Sequence, residues 1–492
     1  MKCRLHSSFI IGFSFVVFAV TGLADSQQTI TDSTRLSDTG DFKQAASVLI
    51  AALQNAENNL TDEDKKRIEY QLDLLGRTKQ DYSLTEKELY EKLDQSLIGL
   101  TKKEFAQWLL ENRFDGRIIN GIRYFTGTSV SNLYWRHPEL NSRRQTPKND
   151  ATHNKAMLEN CRAIKAAAIK ERRPYVLPYR YQATMSVTAE ENVASAGEKI
   201  RAWLPVPRRY LFQKEFKLLS SSPRVKSISD ENSSIRSVYL EQSAKHDKPT
   251  EFKISYEYVI HSTSFQLQPG KIKLVNTNDP ALKPFLAEAP HVVFSDKIKS
   301  LAEEIIGTET NQMLQAKGFF NWIADNIKYS YAREYSTLTN ISDYCLSNGY
   351  GDCGQEALLF ITLCRSQGIP ARWQSGWHLV PSKETIHDWT EIYLDPYGWV
   401  PVDPWAGIHA MQYCPTLKPE ERREIRDFYF GGLDQYRMIA NSDHNQPLSP
   451  AKKSFRSDDV DFQRGELETG ERNIYFNQYS YKLVVDKMEP AR

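Results

Sequence analysis

The stretch GDCGQEALLFITLCRSQGIP, residues 351–370, decides how the rest of the chain is read. After Cys353 comes an apolar run without proline, with Ala357, Leu358, Phe360, Ile361, Leu363 and Cys364 at helical spacing. Gly368 and Pro370 close it, as residues that stop helices do. Cys353 is therefore predicted at a helix N-terminus, where unpaired N–H groups favour a thiolate and lower the thiol pKa. Such a cysteine suits attack on a carbonyl, given a base to take its proton and a third group to orient that base.

The candidates for those roles are His387 and Asp403, which flank a predicted β-hairpin. Trp389 to Leu394 alternates as a strand, Asp395-Pro396-Tyr397-Gly398 is a turn tetrad, and Trp399 to Val402 returns. A two-residue loop would put Asp403 on the face opposite His387. An odd-length loop or a bulge would instead pair His387 with Trp405 and set Asp403 diagonally beside the histidine. Asp388 and Glu391 compete as orienting groups, but Asp388 points to the other strand face. The rival histidines His378 and His409 lack a strand setting that would aim them at the thiol.

The motifs Gly351-Asp352-Cys353, Gly368-Ile369-Pro370-Ala371-Arg372, His387-Asp388-Trp389-Thr390-Glu391-Ile392-Tyr393 and Gly398-Trp399-Val400-Pro401-Val402-Asp403-Pro404 resemble, in order, those of the transglutaminase-like superfamily. The resemblance runs from near Pro290 to near Cys414, about a quarter of the chain. It implies a papain-like arrangement with Cys353 as nucleophile, His387 as base and Asp403 as its partner. It also implies thiol-dependent acyl transfer on peptide or glutamine amides through a thioester. Hydrolysis is preferred to transamidation, because neither a calcium loop nor an aromatic tunnel is legible. The rival reading is a member of the fold that binds without turnover.

Outward from this core, 492 residues are too many for one ordinary domain, and 40% hydrophobic with 25% charged residues describes a globular protein. With 63 Lys and Arg against 62 Asp and Glu, no nucleic-acid or anionic-membrane partner is expected through bulk charge. The expected partner is a protein or peptide substrate. Lys2 and Arg4 ahead of an apolar run from Phe9 to Val20, then Gly22-Leu23-Ala24, read as a signal peptide over 1–24. Export to the periplasm or outside follows, with no integral membrane segment in the mature chain. Beyond Cys3, five cysteines remain. That odd number leaves at least one thiol free, while Cys345 and Cys414 could pair or stay reduced. No Cys/His spacing suits zinc and no Asp-rich loop suits calcium, so no metal and no cofactor are expected.

The expected fold is multidomain α+β. Residues 25–130 read as a helical domain with a winged-helix-like end, with capping boxes at Thr85/Glu88 and Thr101/Glu104 and a hairpin through Asn120-Gly121. A linker or helix spans 131–174. Residues 175–283 read as a β-sandwich of short strands, exemplified by Phe252, Ile254, Tyr256, Tyr258 and Ile260 alternating with mostly polar neighbours. Residues 284–415 form the transglutaminase-like core, with its catalytic helix packed on an antiparallel sheet. Residues 416–492 are a C-terminal extension with a hairpin. Asp434, Arg437 and His444 are assigned surface or structural roles by default.

Overall fold

Helix caps and alternating strands place most elements where local chemistry demands them. The computed structural model describes residues 26–55, 60–147 and 150–491. The expected signal segment lies outside them. No helix of the described residues is long and apolar enough to cross a membrane. The chain divides into two compact units, Met1–Gly76 with Ile118–Ile122, and Arg77–Arg117 with Arg123–Arg492.

In the first unit, Asp41 caps the helix Phe42–Gln54 by accepting from the Gln44 N–H at 3.0 Å. Its buried face is Phe42, Ala45, Leu49 and Ala52, a helical stripe. Gly40 adopts φ +92°, and a Cβ there would meet Ile118 at 2.9 Å, so both backbone conformation and space require glycine.

In the second unit, Thr85 and Glu88 form the expected reciprocal capping box. The second box forms only by half. Thr101 accepts from the Glu104 N–H at 3.1 Å, but the Glu104 carboxylate takes both terminal nitrogens of Arg143 instead of returning to the cap. An arginine fork is the stronger partner for a carboxylate.

Two antiparallel sheets form the β-sandwich. Strands β1 (Tyr175–Ala189), β2 (Lys199–Pro205), β3 (Gln213–Ser222), β4 (Ser237–Ser243) and β5 (Thr250–Ser264) come from the middle of the chain. In one sheet β5 lies between β1 and β3; in the other β2 pairs with β4. The inward residues Tyr181, Ala183, Met185 and Val187 of β1 meet Ile200, Ala202 and Leu204 of β2 in one apolar core.

The region after the helix that begins at Cys353 builds a third antiparallel sheet from β6 (Ala371–His378), β7 (Thr385–Leu394), β8 (Gly398–Val402) and β9 (Arg437–Asn441), in the order β8-β7-β6-β9. The helix Cys353–Ser366 is buried all round from Gly354 to Arg365, including the polar Gln355, Glu356, Thr362 and Arg365, as befits a helix central to the core. Gly376 lets β9 approach β6 closely, since a Cβ there would lie 2.0 Å from the Met438 carbonyl oxygen.

Residues beyond β9 return to the sandwich. Strand β10 (Glu466–Thr469) pairs with β2, and β11 (Tyr479–Pro490) pairs with β1 along almost its whole length. The C-terminal extension thus completes both sheets, and its hydrophobic residues Leu467, Tyr479 and Leu483 join the common core.

Candidate active site

Gly349, at φ +68°, ends the helix Ile341–Asn348, and Tyr350–Gly351 runs parallel to Lys328–Tyr329. Asp352 then caps the next helix. Its carboxylate accepts from the Gln355 N–H at 3.1 Å, and the Gln355 side chain accepts from the Asp352 N–H at 3.2 Å. This reciprocal box makes Cys353 the first helical residue.

Strands β7 and β8 supply the other two groups. Leu394 pairs with Gly398, so the loop is the three residues Asp395-Pro396-Tyr397, and the register carried downward pairs His387 with Trp405. The odd loop brings Asp403 to the His387 face: His387 Nε2 and Asp403 Oδ2 are 2.9 Å apart. The Trp405 ring centroid is 5.0 Å from that of His387, and Trp389 stacks on the imidazole at 5.6 Å.

The thiol meets a different residue. Cys353 Sγ lies 3.4 Å from Asp388 Oδ2, on the residue next to His387 along β7, and no hydrogen bond joins it to His387 among the described residues. Gln463 holds this turn of strand from the C-terminal extension, its Nε2 donating to the His387 carbonyl at 2.8 Å and to Asp388 Oδ1 at 2.6 Å.

The electrostatics correct the expectation of a low thiol pKa. Burial pushes the Cys353 thiol well up, and the neighbouring carboxyl groups of Asp388, Asp352 and Glu356 push the same way. A helix N-terminus contributes only about 0.3–1 kcal/mol at an exposed site, up to about 2 when partly buried. Cys353 is partly shielded from solvent, and desolvation, which moves fully buried groups by up to about 3–5 units, together with the three carboxyl groups outweighs the helix terminus. The acids respond in kind. Burial raises Asp388 well above the carboxylate range, helped by Asp461 and Asp352, and raises Asp352 to about 6 despite its bond from the Tyr335 hydroxyl. Glu356, one turn into the helix, is buried with neither carboxylate oxygen hydrogen-bonded, and burial, with Asp352 and Asp403 pushing the same way, raises it well above the usual carboxylate range.

Around His387 the balance runs the other way. Burial lowers its pKa, Asp403 opposes this, and Arg437 reinforces it. Asp403 is fully buried, yet Arg437 and His387 overcome desolvation and bring it to about 2. A neutral imidazole beside an ionised carboxylate donates Nε2–H to Asp403, which leaves the Nδ1 lone pair as the base. Asp403 Oδ1 also accepts from the Ala406 N–H at 3.1 Å, capping the helix Pro404–Tyr413.

Of the surface and structural alternatives, Arg437 takes the structural one. It is buried on β9, 2.7 Å from Asp403 Oδ2 through Nη1 and 3.2 Å from Asp434 Oδ2 through Nε. His444 is also interior, its Nε2 within 2.8 Å of the Pro290 carbonyl. His378 does occupy a strand, at the end of β6, with its ring 6.0 Å from that of His387; burial lowers its pKa to about 3. His409 stacks on Trp405 at 5.1 Å. All five described cysteines are reduced, so Cys345 and Cys414 are unpaired. Sequence reasoning missed Tyr335, Arg437 and Gln463, because nothing local marks a residue whose partner lies tens to hundreds of positions away. Gly354 did carry a signal: a Cβ there would lie 2.1 Å from the Tyr335 hydroxyl.

A family model described as the transglutaminase-like superfamily matches residues 299–404, which include Cys353, His387 and Asp403. Residues 299–404 are a transglutaminase-like core. An uncharacterized protein of Haemophilus influenzae is 26% identical over 182 residues, 31% of this chain and 48% of that protein. Uncharacterized protein YebA of Bacillus subtilis is 24% identical over 132 residues, 23% of this chain and 18% of YebA. The chain thus spans less than half the length of either curated relative. Among solved structures, a candidate cysteine protease from Cytophaga hutchinsonii is 17% identical, covering 64% of this chain and 89% of that one, with a TM-score of 0.38. The periplasmic domain of TgpA from Pseudomonas aeruginosa is 14% identical, covering 53% and 94%, with a TM-score of 0.26. The transglutaminase-like core supports a thiol-dependent enzyme as the coarse functional class.

Proposed function

We propose that the protein is an exported thiol-dependent acyl-transfer enzyme that cleaves amide bonds of peptides or glutamine side chains. Cys353 is the nucleophile, His387 the base and Asp403 its orienting partner. The observation that carries this reading is the 2.9 Å bond between His387 Nε2 and Asp403 Oδ2, made on the strand whose next residue holds the Cys353 thiol. It leaves Nδ1 as the free basic nitrogen one residue from the sulfur.

In the resting state the thiol is protonated and bonded to Asp388. Rotation of the Cys353 side chain away from Asp388 frees the S–H to deliver its proton to Nδ1. The thiolate then attacks the amide carbonyl carbon, and collapse of the tetrahedral species breaks the C–N bond as His387 returns the proton to the amine. Water, deprotonated by His387, attacks the thioester; the C–S bond breaks and the thiol is restored. One oxyanion donor is the Cys353 backbone N–H, which at the first helical position has no intrahelical acceptor. Export rests on the basic and apolar pattern of residues 1–24.

A second reading, a fold retained for binding, is favoured by the same Cys353–Asp388 bond and by the three carboxyl groups around the sulfur. The two separate in a peptide-hydrolysis screen followed by mass spectrometry. Catalysis predicts cleavage abolished in Cys353→Ala and strongly reduced in His387→Ala. Activity that persists in Cys353→Ala, or a Cys353 that reacts with iodoacetamide like an ordinary thiol regardless of His387, sinks the enzymatic reading.

A further inference from the structure

On the β-sandwich, a cavity of about 290 Å³ is lined by Arg208, Lys214, Glu215, Phe216, Glu231 and Arg236, among others. Arg236 is only 8% exposed. Its Nη1 donates to the Pro207 carbonyl at 2.5 Å, while Nε is buried without a partner and Nη2 makes no hydrogen bond. It forms no ion pair among the described residues: Glu231 is engaged by Arg209, and Glu215 by Arg180 at 2.8 Å. Burial lowers the Arg236 pKa, with Glu231 and Asp230 opposing from a distance. A guanidinium does not shed its proton in a protein, so a buried positive charge remains with Nη2 unengaged and Nε enclosed without a partner.

Buried charges are ordinarily paired, and an uncompensated one is costly. The surroundings add to the imbalance. Arg208 bonds only the Ser233 and Asn232 carbonyls, at 2.8 and 2.7 Å, and Lys214 makes no ion pair among the described residues. The cavity wall is also distorted: β3 is bulged against β5 between Lys214 and Lys217, and Glu215 sits at φ +59°. Bulges and strained residues of this kind collect at binding sites.

We propose that this cavity binds a carboxylate carried on a small organic molecule, held by Arg236 Nη2 with Arg208 and Lys214 adding positive field. A charge-assisted bond from a guanidinium N–H to a carboxylate oxygen is about twice as strong as a neutral one. The lining glutamates Glu215 and Glu231 discriminate against a dianion such as phosphate. The volume exceeds that of a lone ion, and Phe216, whose ring lies 4.5 Å from the Arg236 guanidinium carbon, walls the space for an apolar body. This site is independent of the acyl-transfer reading.

The test uses the full chain and thermal unfolding with calorimetry. The probes are N-acetylglycine and N-acetylphenylalanine, their neutral amides, and inorganic phosphate. The acids bind and raise the melting temperature in a saturable way; the amides do not. Arg236→Met weakens acid binding at least tenfold and, without ligand, melts no lower than the wild type because a buried uncompensated charge is gone. Lys214→Gln, an exposed change, weakens binding severalfold at unchanged unliganded stability. The proposal is overturned if neither acid binds, if acids and amides bind alike, if phosphate binds more tightly than both acids, or if Arg236→Met keeps acid binding. A lower unliganded melting temperature for Arg236→Met also overturns it, since that would make the charge structural.

Discussion

Replacing Asp388 by Asn isolates the neighbour that most affects the Cys353 thiol in this structure. The carboxyl group lies 3.4 Å from Cys353 Sγ and is the first neighbouring charge that raises the thiol. Burial also raises Asp388 well above the carboxylate range, so the full repulsion of two charges, about 5 kcal/mol at an effective dielectric of 20, acts only where both groups ionise and is an upper bound for the pair. Measured effects of an adjacent like charge are smaller, roughly 1–3 units. Asn keeps an oxygen for the Gln463 Nε2 donor, which reaches Asp388 Oδ1 at 2.6 Å, and presents an N–H toward the sulfur. Loss of a like charge and gain of a donor both favour the thiolate. Asp388→Asn should therefore raise the alkylation rate of Cys353 at pH 7 by at least about tenfold, with its pH midpoint moving down. The assay is iodoacetamide modification across pH, with the modified cysteine mapped by mass spectrometry. A rate at Cys353 that is unchanged or slower refutes the electrostatic account, because it would mean that burial alone sets the thiol pKa.

Four further outcomes follow from buried groups and close contacts. Arg437→Met leaves Asp403 and Asp434 without their buried cation, so stability should fall by about 3–5 kcal/mol in denaturant unfolding at pH 7. Asp403 is depressed from 3.8 to about 2, so its contribution of about 2 kcal/mol is present above its unfolded pKa and is lost as pH falls from about 4 through 2. Asp403→Asn should reduce that acid-side loss, as read from unfolding at pH 2 to 5. Asp352 has the opposite sign: raised by burial to about 6, its contribution is present below its unfolded pKa and is lost as pH rises from about 4 through 6. Asp352→Asn, which can still cap the helix, should gain on the order of 3 kcal/mol relative to wild type at pH 8 and little at pH 4. Gly354→Ala drives a methyl group to 2.1 Å from the Tyr335 hydroxyl and 2.8 Å from Asp388, and should cost about 1–3 kcal/mol; thermal unfolding at the wild-type temperature would contradict the crowding.

Cys353 at a helix start and the antiparallel hairpin were legible in the amino-acid sequence, while the register was left between two choices that the three-residue loop decided in favour of Asp403 beside His387. Each depends on neighbours within a few positions: a cap three residues away, a turn of three residues, an alternation of period two. The same locality explains the sandwich strands β1 and β5, whose alternating apolar residues reveal a half-buried sheet before any partner is known. What the sequence could not supply was the identity of partners brought in from afar. That β11 completes a sheet begun nearly 300 residues earlier, that Gln463 grips the strand carrying His387 and Asp388, and that Arg437 pairs with Asp403 are consequences of chain return, for which no local pattern exists. The protonation of the nucleophile is the sharpest case. Sequence position predicts the helix terminus, a local field of fixed sign. The thiol pKa is instead decided by burial and by carboxyl groups from two elements, and in a low-dielectric interior those terms exceed the helix dipole.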